Sequence, residues 1–250
     1  MNFSVYQAAA AMNANLRWQE MIAENLNSTS IPGFKRQELS FEAVQAGLLK
    51  QPFQGANGAS MEHSLPKAVA TTSFQAGELR PSESKTALAI TGSGFFEVQL
   101  PGGGTAYTRA GEFRLTAQGQ LVTKQGYPVL GEDGPVQLDS SNASTLAVSA
   151  AGEVSQGGTA RGKLRVTEFN DPSLLTNTSD GYFVAADPAI HSRPSTGSSV
   201  HQGVVEGSNV SVVMEMANMM TAMRAFEANQ RIIQMNDERT GRVLSDLGPT

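Results

Sequence analysis

The 250-residue chain is too long for a single helical hairpin and can hold one large domain or two small ones. Charged residues make up 16 %, below the ~25 % usual in globular chains, the net charge is −5 and no Lys/Arg-rich run occurs, which together argue against a nucleic-acid surface. There is no cysteine, so disulfides, thiolate metal sites and cysteine nucleophiles are excluded together, and no apolar run approaches the ~18 residues of a membrane span.

The opening stretch, MNFSVYQAAAAMNANLRW, has no basic n-region, so a cleaved secretory signal is not expected. Residues 3–28 instead read as a helix. Val5, Ala9, Met12, Leu16, Gln19, Ala23 and Leu26 step alternately by four and three, a heptad seam that needs a partner helix. Asn27-Ser28-Thr29-Ser30 ends the period, and Ile31-Pro32-Gly33 forces an extended or turning backbone. Phe34-Lys35-Arg36 follows. Its plain reading is a solvated loop with Phe34 tucked onto the helix.

From 41 to 84 the pattern loosens into an extended connector rich in Gln, Gly, Ser, Pro and Asn, with short strands around Lys67–Phe74. Residues 85–205 are a succession of short strands punctuated by turns. TALAITGSGFFEVQL holds two strands around Gly92-Ser93-Gly94, Leu100 to Thr105 is a hairpin loop, and LRVTEF and GYFVAA come late. Turns spaced by about 8–12 residues fit an all-β domain, sandwich-like or barrel-like.

The C-terminal helix, 208–233, repeats the logic of the first. Val212, Met216, Met219, Met223, Phe226, Gln230 and Ile233 form its seam, and Ser208 or Asn209 is placed to cap its first turn. Five of the ten methionines fall at 214, 216, 219, 220 and 223. Thioethers are unbranched and adaptable, which suits a contact surface that must fit non-identical neighbours.

Chemistry is hard to find. The glycines at 92–94 lack the third glycine of a dinucleotide fingerprint and the Gly-Lys-Ser/Thr of a P-loop, so a tight β-turn explains them. His63, His191 and His201 have no partners at metal-ligand spacing. Glu132-Asp133 lies in a Gly-Glu-Asp-Gly turn that needs no catalytic role. These absences argue against an active site and predict neither catalytic residue, metal nor cofactor.

Three blocks of sequence carry a family likeness. Ala23-Glu24-Asn25-Leu26-Asn27-Ser28, then Pro32-Gly33-Phe34-Lys35-Arg36, resembles the "A-N-N-L-A-N … T-x-G-F-K-R" signature of the bacterial flagellar rod, hook and hook-associated axial proteins. Ile90 to Val98 with Tyr107-Thr108-Arg109-Ala110-Gly111-Glu112-Phe113 is similar to their "I-x-G-x-G-F-F-x-V … Y-T-R-x-G-x-F" block. Gly207-Ser208-Asn209-Val210 through Arg224-Ala225-Phe226-Glu227-Ala228-Asn229 resembles their "S-N-V-N … R-A-Y-E-A-N" block. Glu24, Ser211, Met220 and Phe226 depart from the pattern, the last losing a hydroxyl. Length and a single β domain resemble the rod proteins, proximal or distal, more than the longer hook protein.

The resemblance implies an α+β subunit with an axial helix and bend (1–40), the connector (41–84), a β-rich outer domain (85–205) and a second axial helix (206–250). It implies terminal helices that pair as a coiled coil around a channel, and helical polymerisation with copies of itself and other rod and hook subunits. It further implies delivery through the flagellar type III export apparatus to a periplasmic rod, without membrane insertion or a small-molecule substrate. The assembly interface is then expected at Val5, Met12, Leu16, Asn25, Leu26, Gly33, Phe34, Asn209, Val212, Met216, Met219, Met223, Phe226, Asn229 and Ile233. Helices of ~25 residues are marginal alone, so docking is expected to order them. Two other readings stand beside this one: a secreted β-sandwich binding module on a helical stalk, and an enzyme acting on cell wall through carboxylates that the spacing does not pair.

Overall fold

The computed structural model describes residues 3–45, 64–139, 146–178 and 181–247. The Gln- and Ser-rich middle of the expected connector, with His63, lies outside them. The chain is mostly β with a helix near each end, and it divides into two compact units. No helix among the described residues is long and apolar enough to cross a membrane.

The first unit comprises Met1–Leu26, Gln37–Thr71 and Ser211–Thr250. Its helices are α1, Phe3–Asn27, and α2, Val212–Leu247. The second runs past the seam read over 208–233 and ends inside the expected axial segment 206–250. Strands Gln37–Gln45 and Ser64–Thr72 pair with each other, so the expected connector 41–84 starts within a two-stranded ladder, with strands longer than its composition suggested. Alanines and straight-chain residues sustain both helices. A 3-10 turn, Ser28–Ser30, closes α1, and Ile31 is extended ahead of Pro32, as the proline ring requires.

Neither expected cap serves α2. The Ser208 Oγ accepts from the Val210 amide, and Asn209 spends its amide group elsewhere. The helix begins instead with the Ser211 carbonyl accepting from the Glu215 amide. Glu215 puts a negative charge in the first turn, where the helix dipole favours it.

The second unit comprises Asn27–Arg36 and Thr72–Val210. Its main sheet has six antiparallel strands in the order Thr176–Thr178, Tyr182–Val184, Thr105–Thr108, Phe95–Gln99, Val166–Phe169, Ser192–Pro194. A three-stranded antiparallel sheet runs Leu146–Val148, Glu153–Gln156, Thr159–Lys163. Leu88–Thr91 pairs with Ser199–Gln202, and Leu79–Pro81 with Val204–Glu206. Of the sandwich-like and barrel-like alternatives, a closed barrel does not form, because the main sheet ends on two short polar edge strands that do not pair with each other.

Successive strand residues face opposite ways, and the Phe95-Phe96 pair uses this. Phe96 enters a core with Leu88, Ile90, Val98, Leu121 and Val129. Phe95 enters a second, aromatic cluster with Phe169, Phe183 and Leu175, packing edge-on against Phe169 at a 5.7 Å ring separation. Burying each such ring is worth roughly 1.5–3 kcal/mol, so one dipeptide ties two cores together. Gly111 is needed beside them, since a Cβ there would sit 1.5 Å from the Leu88 carbonyl oxygen.

Candidate assembly surface

The short segment 31–36 is built into the β unit. Gly33 has φ +69, and its amide donates to the Glu206 carbonyl at 2.7 Å. A Cβ on Gly33 would lie 2.3 Å from both the Arg109 carbonyl carbon and the Ala110 nitrogen, so only glycine lets the two backbones meet. Phe34 is buried, and the Arg36 amide donates to Asn209 Oδ1 at 2.7 Å. Asn209 Nδ2 donates to the carbonyls of Ser73 and Gln75. One amide side chain thus holds three backbone groups from two stretches of chain.

Lys35 is the surprise. It is 1 % exposed, with Nζ donating to Glu206 Oε1 at 2.6 Å and to the Gln75 carbonyl at 2.7 Å. The Gly77 amide donates to the same Glu206 oxygen at 2.8 Å, and the Arg109 guanidinium stands 3.6 Å from Glu206 Oε2. Arg109 also donates to the carbonyls of Ile90 and Gly92 and lies 4.8 Å over the Phe95 ring. Burial pushes the Lys35 ammonium below its ordinary value, opposed by the Glu206 carboxylate. Burial likewise lowers Arg109, opposed by Glu206 and Glu168. The solvated loop expected at 34–36 is therefore a buried ionic cluster. Its anion comes from 171 residues away, which is why composition around Lys35 could not reveal it. The available signal was that Lys35 and Arg109 both sit inside the blocks resembling the axial proteins, with Glu206 just ahead of the third.

Asn25 does comparable work inside the helical unit. Fully buried, it donates through Nδ2 to the Gln37 carbonyl at 2.8 Å and accepts from the Gln37 amide at 2.9 Å. That reciprocal pair copies the bonds of facing residues in an antiparallel ladder. Asn25, Gly33, Phe34 and Asn209 thus all make their described contacts within the chain.

The helices divide differently. On α1, Ala8, Asn15, Ile22 and Asn25 are covered, while Ala9, Leu16 and Ala23 face outward. On α2, Glu215 and Ala222 are buried, and Met219, Phe226, Asn229 and Ile233 are half-buried. Val212, Met216 and Met223 from the same expected seam are exposed, Met216 by 57 % and Met223 by 53 %. Met12 and Leu26 are half-buried, and the Val5 side chain lies outside the described residues. Each expected seam therefore straddles a covered face and an open one. Small residues at Ala222 and Ala8 suit the covered side, and long Met and Leu side chains remain on the open side.

The β unit also holds a cleft of about 540 Å³ whose charges largely answer one another. Lys163 meets Glu132 at 3.0 Å and Arg165 meets Glu97 at 3.2 Å. Beside it, Ser195 Oγ donates to Glu168 at 2.6 Å, Ser198 Oγ donates at 3.2 Å and Arg193 stands at 3.6 Å. The Ser195 bond is foremost in holding the Glu168 carboxyl below its ordinary value. Among the described residues, no group of His, Cys, Asp or Glu is placed to hold a metal ion.

Comparison with known proteins matches this architecture. A family model described as the flagellar hook protein FlgE/F/G D1 domain covers residues 89–156, and one described as the flagellar basal body rod FlgEFG protein C-terminal covers 201–246. The flagellar basal-body rod protein FlgG of Buchnera aphidicola (from Acyrthosiphon pisum) is 32 % identical over 253 residues, spanning 94 % of this chain and 96 % of that protein. The rod protein FlgF of Salmonella typhimurium is 31 % identical over 263 residues, spanning 97 % of each. FlgF of Caulobacter vibrioides is 27 % identical over 248 residues, spanning 99 % of each. With two thirds of its length and more aligned to such relatives, the chain belongs to the flagellar basal-body rod protein family.

Proposed function

We propose that this chain is a structural, non-enzymatic subunit of the flagellar basal-body rod that joins neighbouring subunits through the open arcs of α1 and α2. The observation that carries the reading is an inversion of ordinary burial. Met216, Met220 and Met223 stand more than half exposed on α2, whereas Lys35 and Glu206 are sealed inside the β unit. Exposed apolar surface of this kind marks an interaction site.

The two helices pair as a coiled coil in the assembled rod. Their grouping in one compact unit and the covered face on each support this. Val212, Met216, Met219, Met223, Phe226, Asn229 and Ile233 meet neighbours from α2, as Val5, Met12, Leu16 and Leu26 do from α1. Asn25, Gly33, Phe34 and Asn209 serve the interface from beneath, holding the subunit's own chain in shape. A contact between different faces of successive copies does not close on itself and grows a helical polymer. The division into axial segments 1–40 and 206–250, connector 41–84 and outer domain 85–205 fits such a subunit. Its other partners are rod and hook subunits and the type III export apparatus, and its place is the periplasmic rod.

The test is the double variant Met216→Asp/Met223→Asp. Both side chains are exposed, so the unfolding free energy of the dilute chain in urea should stay within about 0.5 kcal/mol of native. Sedimentable polymer and complementation of motility should be lost. A variant that polymerises like the native chain sinks the reading.

A further inference from the structure

Six of the ten methionines lie in α2, and they are not equally placed. Met216, Met220 and Met223 are 57 %, 56 % and 53 % exposed. With Val212 and Val213 they fall within an arc of about 100° at 3.6 residues per turn. Met214 and Met235 are equally open but lie off this arc, Met219 is half-buried, and Met21 on α1 is buried. We propose that Met216, Met220 and Met223 form an oxidant-sensitive modification site, at which conversion to sulfoxide by a peroxide blocks assembly and enzymatic reduction restores it. This rests on the reading of the open arc as an assembly surface.

The chemistry is a two-electron oxygen transfer. The thioether sulfur attacks one peroxide oxygen and the O–O bond breaks; the second oxygen leaves as hydroxide and takes the proton of the transferred oxygen, departing as water. Sulfur is oxidised by two electrons and the peroxide is reduced by two. Susceptibility follows access to the sulfur, so the open thioethers react ahead of the buried one. In the free chain the product is tolerated, because a sulfoxide on an exposed arc keeps its water. On assembly the same S=O must enter a dry contact without a donor, and that penalty falls on the polymer alone. Three such groups on one stripe make the response steep. Methionine sulfoxide reductase reverses it, which leucine at these positions could neither need nor offer.

The experiment treats the dilute full-length chain with graded hydrogen peroxide and maps each methionine by peptide mass. Oxygen should appear at 216, 220 and 223 well before Met21. The critical concentration for polymerisation should rise roughly tenfold or more, and methionine sulfoxide reductase should return it to the untreated value. The variant Met216→Leu/Met220→Leu/Met223→Leu, whatever its own critical concentration, should show no peroxide-dependent change. The same treatment of preformed polymer should leave the three sulfurs unmodified. Equal rates at Met216 and Met21, or an unchanged critical concentration after full oxidation, would overturn the inference. Failure of the untreated chain to polymerise at all would overturn the assembly reading instead, and the peptide map distinguishes the two.

Discussion

The start of α2 and the segment 31–36 each end in the environment opposite to the one their composition suggests. SVVMEMANMM is rich in apolar side chains, and several of its methionines and valines face water. PGFKR carries two cations, and its lysine is 1 % exposed. The contrast teaches that burial in this chain follows partnership rather than hydropathy. Lys35 can leave water because Glu206 and the Gln75 carbonyl are waiting for it. The α2 methionines at 216, 220 and 223 stay in water because, among the described residues, nothing on that arc covers them. One region finds its partners within the chain, and the other is the arc on which the proposed assembly contact rests.

That comparison can be broken most directly at Glu206. Replacing it by alanine strands Lys35 and Arg109 as buried cations with no carboxylate between them, at a cost of about 3–5 kcal/mol. Hydrogen exchange on the full chain should show 31–36 and the backbone around Gly77 losing protection together. If both stay protected, the cluster does not secure the segment.

Gly33→Val attacks the same segment through its backbone. Positive φ alone costs roughly 1–3 kcal/mol for a side-chain-bearing residue. The approach of 2.3 Å to the backbone at Arg109 and Ala110 adds to it. Were Gly33 only a bend in the chain, this change would spare the β unit and harm assembly alone. The close packing predicts instead that the thermal midpoint of the β unit falls too. A variant with an unchanged midpoint would return Gly33 to the role of a free bend.

Asn25→Leu sharpens the parallel case in the helical unit. Leucine fills the volume but leaves the Gln37 amide and carbonyl unpaired, which should cost about 1–3 kcal/mol in urea unfolding. A neutral result would mean that water replaces both bonds.

The smallest effect concerns acid. Glu168 has a folded pKa below its unfolded value of 4.5, chiefly through Ser195. Its contribution is therefore complete above about 4.5 and lost as pH falls through the lower folded value. Ser195→Ala should raise that folded value and lower stability at neutral pH by about 0.5–1.5 kcal/mol. The fall in urea midpoint on acidification should shrink correspondingly. An identical pH profile in the variant would assign the effect to Ser93, Ser198 or Arg193.

The elements themselves were readable locally. Heptad steps marked both helices, and the Gly- and Pro-punctuated alternation marked the strands around Phe95-Phe96. Local pattern reports what a segment prefers to become, since period and turn chemistry act over a few residues. It could not say which half of each seam is covered. Met219 and Met223 look equivalent in the heptad, and only the placement of neighbouring elements separates the half-buried one from the open one. Nor could it assign Asn209 to the Arg36 amide rather than to its own helix cap, because the competing partner lies 173 residues away.

The sequence by itself thus determined the element types, the order helix–β unit–helix and the motif blocks, all of which depend on short-range chemistry. Only the tertiary structure decided that Lys35 is buried, that Gly33 is a contact between backbones and that half of each apolar seam remains open. Those outcomes are set by groups distant in the chain, whose meeting the local sequence does not encode.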